Sequence, residues 1–452
     1  MAWPDGRSPM SAAFDGPYGI DGRTGCPEIG GRGYPDGVLF RAWEYRAGPP
    51  PVRTVTDRLG RPYALVSGYA EVKSVLADPD TYRPDNALDA VTPIPVPALR
   101  VLTRYGFRLP PTLANNGGAS HPTIRAITAR ALHPDRVAAQ RPWLEALVAD
   151  RVARLDERLA KGGQVDLYAD LVADLPLLVL ARLVELPDSD AVVVKEFSRA
   201  ALELFWAPLS PARQAYLAEV VGRYHAVLRD FAATAGGLVG ELRSHAHGAG
   251  LAPDVPVAAL FFLLVAGQET TSQFLTLLLH RLAGEPAVHS GLSTKDIRVE
   301  DVVEEGLRLV PPIVTWRRVA ARDTTLGGVA VPRGRGVVLW LAQAGRDKEI
   351  VARPDDFAPG QPGSRRHLAF GAGAHRCVGA HLARMEAAVV VEASAPLLHR
   401  IEVVRAPWCP DNLSFRMPDA FVVRRARATG AADRRHLPGE APPDRLARTA
   451  PG

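Results

Sequence analysis

The sequence has little cysteine: Cys26, Cys377 and Cys409 are the only three among 452 residues. An odd number spaced so widely argues against a disulfide framework and fits a reducing compartment. Blocks of like charge are also missing. Lys and Arg number 54 against 49 Asp and Glu, and they are spread along the chain, which gives nucleic-acid binding no support. The stretch 1–37 is rich in Gly, Pro and Asp and lacks the apolar core of a signal peptide. The longest apolar run, 256–267, is too short to span a bilayer before it meets Gln268 and Glu269. These absences predict a soluble, cytoplasmic protein, with neither a membrane nor a nucleic acid as partner.

Periodicity supplies the architecture. After the loose 1–37 segment, 61–67 reads as a strand and 69–76 as a helix, while 78–120 is broken by prolines, glycines and asparagines. From His121 to about Arg308 the apolar spacing is helical, in segments 121–132, 134–159, 167–186, 190–204, 211–233, 236–245 and 256–282. Strand patterns return at 324–331, 336–341 and 420–423. No composition break divides the middle. The prediction is one large domain over 38–427, mainly α with a small β portion, between 1–37 and a disordered tail at 428–452.

Two stretches stand out chemically. Phe370-Gly371-Ala372-Gly373-Ala374-His375-Arg376-Cys377-Val378-Gly379 runs into an apolar-periodic helix. Glycines let a backbone reverse or approach something flat. A cysteine near a helix start, beside Arg376, is favoured as a thiolate. It could be structural, could belong to a phosphate loop lacking its lysine, or could be an axial metal ligand. The second stretch is Gln268-Glu269-Thr270-Thr271-Ser272, polar in the middle of an otherwise apolar helix 256–282 spanning roughly 40 Å. Asp254 is placed to cap that helix and Gly284 to end it. Buried polar groups need partners. Hydroxyls bonding back to carbonyls four residues earlier would be the plain solution.

Phe-Gly-x-Gly-x-His-x-Cys-x-Gly resembles the cysteine signature of cytochromes P450. Ala266-Gly267-Gln268-Glu269-Thr270 is similar to that family's oxygen-activation motif, and Glu305-Gly306-Leu307-Arg308 to its Glu-x-x-Arg core pair. The resemblance implies a P450 fold with a long central helix crossing the core, and haem b with Cys377 as the axial ligand of its iron. It implies cofactor contacts from His121, Arg125, Ala266, Phe370, His375 and Gly379, with Arg318 or the adjacent Arg317 on a propionate. Glu269 and Thr270 take the proton-delivery positions, and Glu305 and Arg308 a structural one. By the same resemblance the segments 80–118, 202–209, 262–266, 313–315 and 413–415 surround the substrate cavity, with Phe262, Ala266, Ile313, Val314 and Phe415 at pocket positions. Where the family has a further arginine, this chain has Gln361, so an amide or nearby Arg365 could complete the core network.

The implied activity is a monooxygenase inserting one atom of O2 into a small organic molecule by hydroxylation or epoxidation, in secondary-metabolite biosynthesis. The protein would be a monomer, drawing electrons from NAD(P)H through a ferredoxin or flavodoxin and its reductase. Arg365, Arg366, Arg376 and Arg384 could face that acidic partner. Two other functions stay open: an oxidase performing radical coupling or ring closure without oxygen insertion, and a haem sensor or carrier without turnover.

Overall fold

The computed structural model describes residues 50–426 except 58, 187–190 and 411. The segments 1–37 and 428–452 lie outside the described residues. The chain opens with β1 (Val52–Thr56) and β2 (Pro62–Val66), then α1 (Tyr69–Ala77), β3 (Tyr82–Arg83) and α2 (Val96–Arg104). A helical body follows through α3 (His121–Ala131), α4 (Pro134–Ala138), α5 (Arg141–Ala160), the short β4 (Gln164–Asp166), α6 (Leu175–Val184), α7 (Ala191–Trp206), α8 (Pro211–Thr234) and α9 (Gly237–Gly248). The central helix, α10 (Val255–Ala283), is interrupted by a π turn at Val265–Glu269. Then come α11 (Pro286–Thr294), α12 (Val299–Leu309), β5 (Trp316–Ala320), β6 (Thr324–Leu326), β7 (Val329–Val331), β8 (Gly336–Leu339), α13 (Leu341–Ala344), α14 (Ala380–Leu398), β9 (Ile401–Arg405) and β10 (Val422–Arg425).

The strands form a five-stranded sheet in the order β1-β2-β8-β5-β3, a three-stranded sheet β4-β10-β9 and the hairpin β6-β7. β2 runs parallel to β8, and the chain between them holds most of the helices together with β3 to β7. This connection carries the helical body from one sheet strand back to its neighbour. The main apolar core lies among the helices, and a second cluster joins the five-stranded sheet to α1.

α10 is long and apolar enough to cross a membrane, but it is mostly buried as the axis of this core. Pro256 suits its first turn. The expected cap from Asp254 is not made, since that side chain accepts no bond from the helix and its backbone is already helical there. The predicted structureless 78–120 segment contains α2 and β3. Prolines before and inside the first turn, Pro95 and Pro97, hide α2 from a reading that treats proline as a breaker, yet they are compatible with a helix start. α2 packs on α8, where the absence of a side chain at Gly222 admits the Tyr105 ring.

Candidate functional site

The cysteine loop is held from both sides. Gly373, at φ +68°, lies so close to the Leu76 carbonyl at the end of α1 that an added Cβ would come within 2.5 Å of it. Only glycine meets both demands. The Cys377 N–H donates to the Phe370 carbonyl at 2.8 Å, closing the loop just before α14. The Cys377 side chain opens on an internal cavity while protein surrounds it. Burial pushes its thiol pKa up, and the Gly379 N–H together with Arg125, Arg376 and Arg384 pulls it down.

Across the cavity stands α10. Thr270 lines the cavity, and its hydroxyl donates to the Ala266 carbonyl at 2.6 Å, within the π turn. Such turns often mark functional positions in helices. Gly267 is small for a packing reason, because a Cβ there would meet Leu180 of α6 at 2.9 Å. Glu269 is fully buried and points elsewhere, outside the cavity lining. Lys195 of α7 pairs with it at 2.8 Å, Gln268 and Gln273 donate to it at 3.2 and 3.1 Å, and Arg199 lies 3.9 Å away. Lys195 also donates to Ser272 at 2.6 Å. Nothing in the sequence marks Lys195. It sits 74 residues from Glu269 on a different helix and has no motif of its own.

Glu305 and Arg308 form a fully buried pair at 2.7 Å on α12. The open question of the third member resolves to Gln361, whose amide donates to Glu305 at 2.7 Å. Ser364 Oγ (2.8 Å) and the Ala358 N–H (2.9 Å) complete the carboxylate's bonds. Arg308 spends its other donors on the carbonyls of Gly345, Arg353, Pro354 and Asp356. One negative and one positive charge plus neutral donors leave the buried cluster without net charge. Arg365 is elsewhere, paired with Asp301 at 3.0 Å.

Arg384 is likewise committed. With His367 it holds Glu304 down to about 2 even though burial alone would raise that carboxyl. Of the four arginines expected to face a redox partner, Arg365 and Arg384 therefore have their charge matched within the protein. Beyond these pairs, the fully buried Glu386 of α14 is notable: among the described residues neither carboxyl oxygen has a hydrogen-bond partner. Burial raises its pKa well above 4.5, opposed only by Thr271.

The cavity encloses roughly 1470 Å³ of atom-free space, part of it open to solvent. Its lining brings together Arg125, Phe262, Ala266, Thr270, Ile313, Arg318, Phe370, His375, Cys377, Gly379 and Phe415 from distant segments. Val314 is a correction. The strand-like alternation beside the Ile313–Phe415 bridge turns it away, into a separate cluster with Leu65, Val338 and Trp340. Trp206 and Trp316 also line the cavity: Trp206 falls in the segment 202–209 that the resemblance places there, while Trp316, one residue past 313–315, was missed because it belongs to no motif.

Whether this cavity suits a thiolate-bound haem can be judged from what its own polar atoms lack. Arg318 is 2% exposed, and among the described residues it donates only to the Arg317 carbonyl, at 2.8 Å. Burial without a carboxylate pulls its pKa down to about 10. Arg317 instead turns to the carbonyls of Ala87 and Asp89, outside the lining. His121 stacks on His375 with ring centroids 4.1 Å apart. Among the described residues His121 Nε2 and His375 Nδ1 are buried without partners, and burial lowers the His121 pKa to about 4. His375 lines the cavity and His121 stacks behind it outside the lining; a buried cation and an imidazole pair with two orphaned nitrogens, beside the cavity that holds the thiol, match the two carboxylates and the iron of haem. The donor set fits.

Comparison with known proteins agrees with this geometry. The family model described as Cytochrome P450 matches residues 298–400. The chain is 30% identical over 296 residues to the cyclomarin C epoxidase CymV of Salinispora arenicola, covering 64% of this chain and 73% of that one. It is 29% identical over 389 residues to the vitamin D3 dihydroxylase of Streptomyces griseolus, covering 84% and 90%. Among solved structures, cytochrome P450 CREJ in complex with (4-ethylphenyl) dihydrogen phosphate superposes with a TM-score of 0.77 at 28% identity, over 87% of this chain and 99% of that one. Helical architecture, cysteine loop and sequence likeness lead to one conclusion: the chain belongs to the cytochrome P450 family and is a haem-thiolate monooxygenase.

Proposed function

We propose that the protein inserts one oxygen atom of O2 into a small organic substrate, by hydroxylation or epoxidation, with the domain 38–427 as the catalytic unit. The observation that carries this reading is the pairing, on one cavity, of a thiol with a buried arginine that has no carboxylate. Cys377 would hold the iron of haem b. Arg318, His121, Arg125 and His375 would hold its propionates, and Ala266, Phe370 and Gly379 would pack against the ring. When bound, the haem supplies oxygen binding, electron uptake and oxygen transfer.

The chain's own residues supply protons and exclusion of water. Thr270 presents the hydroxyl that faces the cavity, where it can hold a water or an oxygen atom by exchanging its bond to Ala266. Glu269 is the adjacent acid. Its contact with the side of the molecule away from the cavity runs through Lys195 and Arg199, so Lys195 acts as a positioning residue that holds the carboxylate on that side. Electrons come from NAD(P)H through a ferredoxin or flavodoxin with its reductase. A place in secondary-metabolite biosynthesis is consistent with the cyclomarin C epoxidase relative.

The test is turnover of neutral organic compounds under ¹⁸O2 with NAD(P)H, ferredoxin and reductase. One labelled atom per product supports insertion. Product without label supports coupling or ring closure instead, and absence of O2-dependent NAD(P)H oxidation with any reductase supports a sensor or carrier.

A further inference from the structure

Among the described lining residues the charged and ionisable groups are Arg125, Arg318, Arg376, His375 and Cys377; all but Arg376 are expected to hold the cofactor, and Arg376 belongs to the cysteine loop, on the side of the cavity away from α10. The polar groups that remain on the lining are the hydroxyls of Thr270 and Thr271 and the indole N–H groups of Trp206 and Trp316, of which Trp206 Nε1 is buried without a partner among the described residues. Both hydroxyls are turned to backbone, at 2.6 Å to Ala266 O and 3.4 Å to Gly267 O. No carboxylate, lysine or amide is left to meet a substrate. An ionised group brought into such a wall would stay unpaired, at a large desolvation cost.

The rest of the wall is apolar and, on one side, aromatic. Trp206 closes α7, Trp316 opens β5 and Phe415 reaches in from the segment bridged to Ile313. The two indoles lie nearly parallel, 24° between planes and 6.3 Å between centroids. Phe415 stands edge-on to both, at 5.0 Å and 74° from Trp206 and 6.2 Å and 84° from Trp316. A ring entering this corner can meet both edges and faces, which is the complementarity that aromatic quadrupoles reward and a saturated ring of equal size cannot match. Three elements far apart in sequence converge to build it.

We infer that the substrate is an uncharged molecule that places an aromatic ring against the Trp206–Trp316–Phe415 corner. This rests on the monooxygenase reading of the cavity and names the substrate class for it.

The test is ligand binding to the ferric holoprotein, followed by the absorbance shift on titration, with three probes: 4-ethylphenyl methyl ether, 4-ethylcyclohexyl methyl ether and 4-ethylbenzoate. The aryl ether should bind about tenfold more tightly than its saturated counterpart, and more tightly than the carboxylate by at least about the same factor. Trp316→Leu should bring the aryl-to-cyclohexyl ratio close to one, while Trp316→Phe keeps most of it. Equal binding of the saturated ether, tighter binding of the benzoate, no response to the aryl ether, or an unchanged ratio in Trp316→Leu would overturn the inference. The wild-type comparison stands whether or not the variants fold. A wild-type protein without the thiolate signature in its reduced carbon monoxide spectrum would instead bring down the reading of the cavity itself, so the two failures are distinguishable.

Discussion

On one side of the cavity, Cys377 sits in a loop fixed by its own backbone bond to Phe370 and by the close pass of Gly373 along α1. On the other side, the wall is made of side chains from α7, α10, β5 and the segment around Phe415, which touch because of how whole elements pack. The first is a local device and tolerates little change, since glycine conformations and a thiol have no substitutes. The second is a collection of apolar surfaces in which volume can be exchanged. The proposed function accordingly assigns reaction type to the cysteine side and the Glu269–Thr270 turn, and substrate choice to the opposite wall.

The sharpest way to break this contrast is at the buried pair behind the cysteine loop. Glu305→Ala strands Arg308 in the core and removes the acceptor for Gln361, Ser364 and the Ala358 N–H. It should cost about 3–5 kcal/mol, read as loss of folded, haem-bearing protein or a large fall in denaturant midpoint. A variant of near wild-type stability would show that the network is not what holds this side. Thr270→Ala tests the turn. Folding and haem content should persist, while product formed per NAD(P)H falls by about tenfold or more and the reducing equivalents appear as peroxide or water. Full coupling would remove Thr270 from proton delivery.

Smaller effects sharpen the comparison further. Glu386 has a folded pKa raised well above 4.5, so above pH 4.5 the unfolded chain gives up a proton that the folded chain keeps. Stability then falls as pH rises from 4.5 toward the folded pKa, by up to about 1.4 kcal/mol per pH unit from this group. Glu386→Gln should flatten that part of a stability profile measured by denaturation across pH 5–8. An unchanged profile would mean that Glu386 is hydrated or paired in the folded protein. Smallest of all should be the effect of raised salt on reduction by an acidic partner, because Arg365 and Arg384 already face Asp301 and Glu304. Stopped-flow reduction slowing steeply with salt would point to other cations on that face.

The same division explains what could be read in advance. Cys377, Glu305 and Arg308 were legible because each motif lies within a few residues on one loop or helix turn, and local chemistry dictates spacing. The boundaries of most helices followed from apolar periodicity. α2 did not, because its starting prolines look like breakers. Glu269 was legible as a residue but not in its orientation: the partner that turns it from the cavity, Lys195, arrives from α7 through tertiary packing. Ile313 and Val314 were indistinguishable until the strand-like alternation placed one on the cavity and the other in a separate core. Trp206 was legible only as one member of the segment 202–209, and Trp316 carried no signal. A tryptophan in a sequence is ordinary core until its neighbours are known.

The account depends most on sulfur from Cys377 holding the haem iron. Its direct test is the absorption spectrum of the purified protein, reduced and exposed to carbon monoxide, beside that of Cys377→Ala. The wild type should show the red-shifted Soret band of a thiolate adduct and the variant should lack it. A wild-type band at the position given by a neutral imidazole ligand, or a thiolate band that survives in Cys377→Ala, would contradict the account.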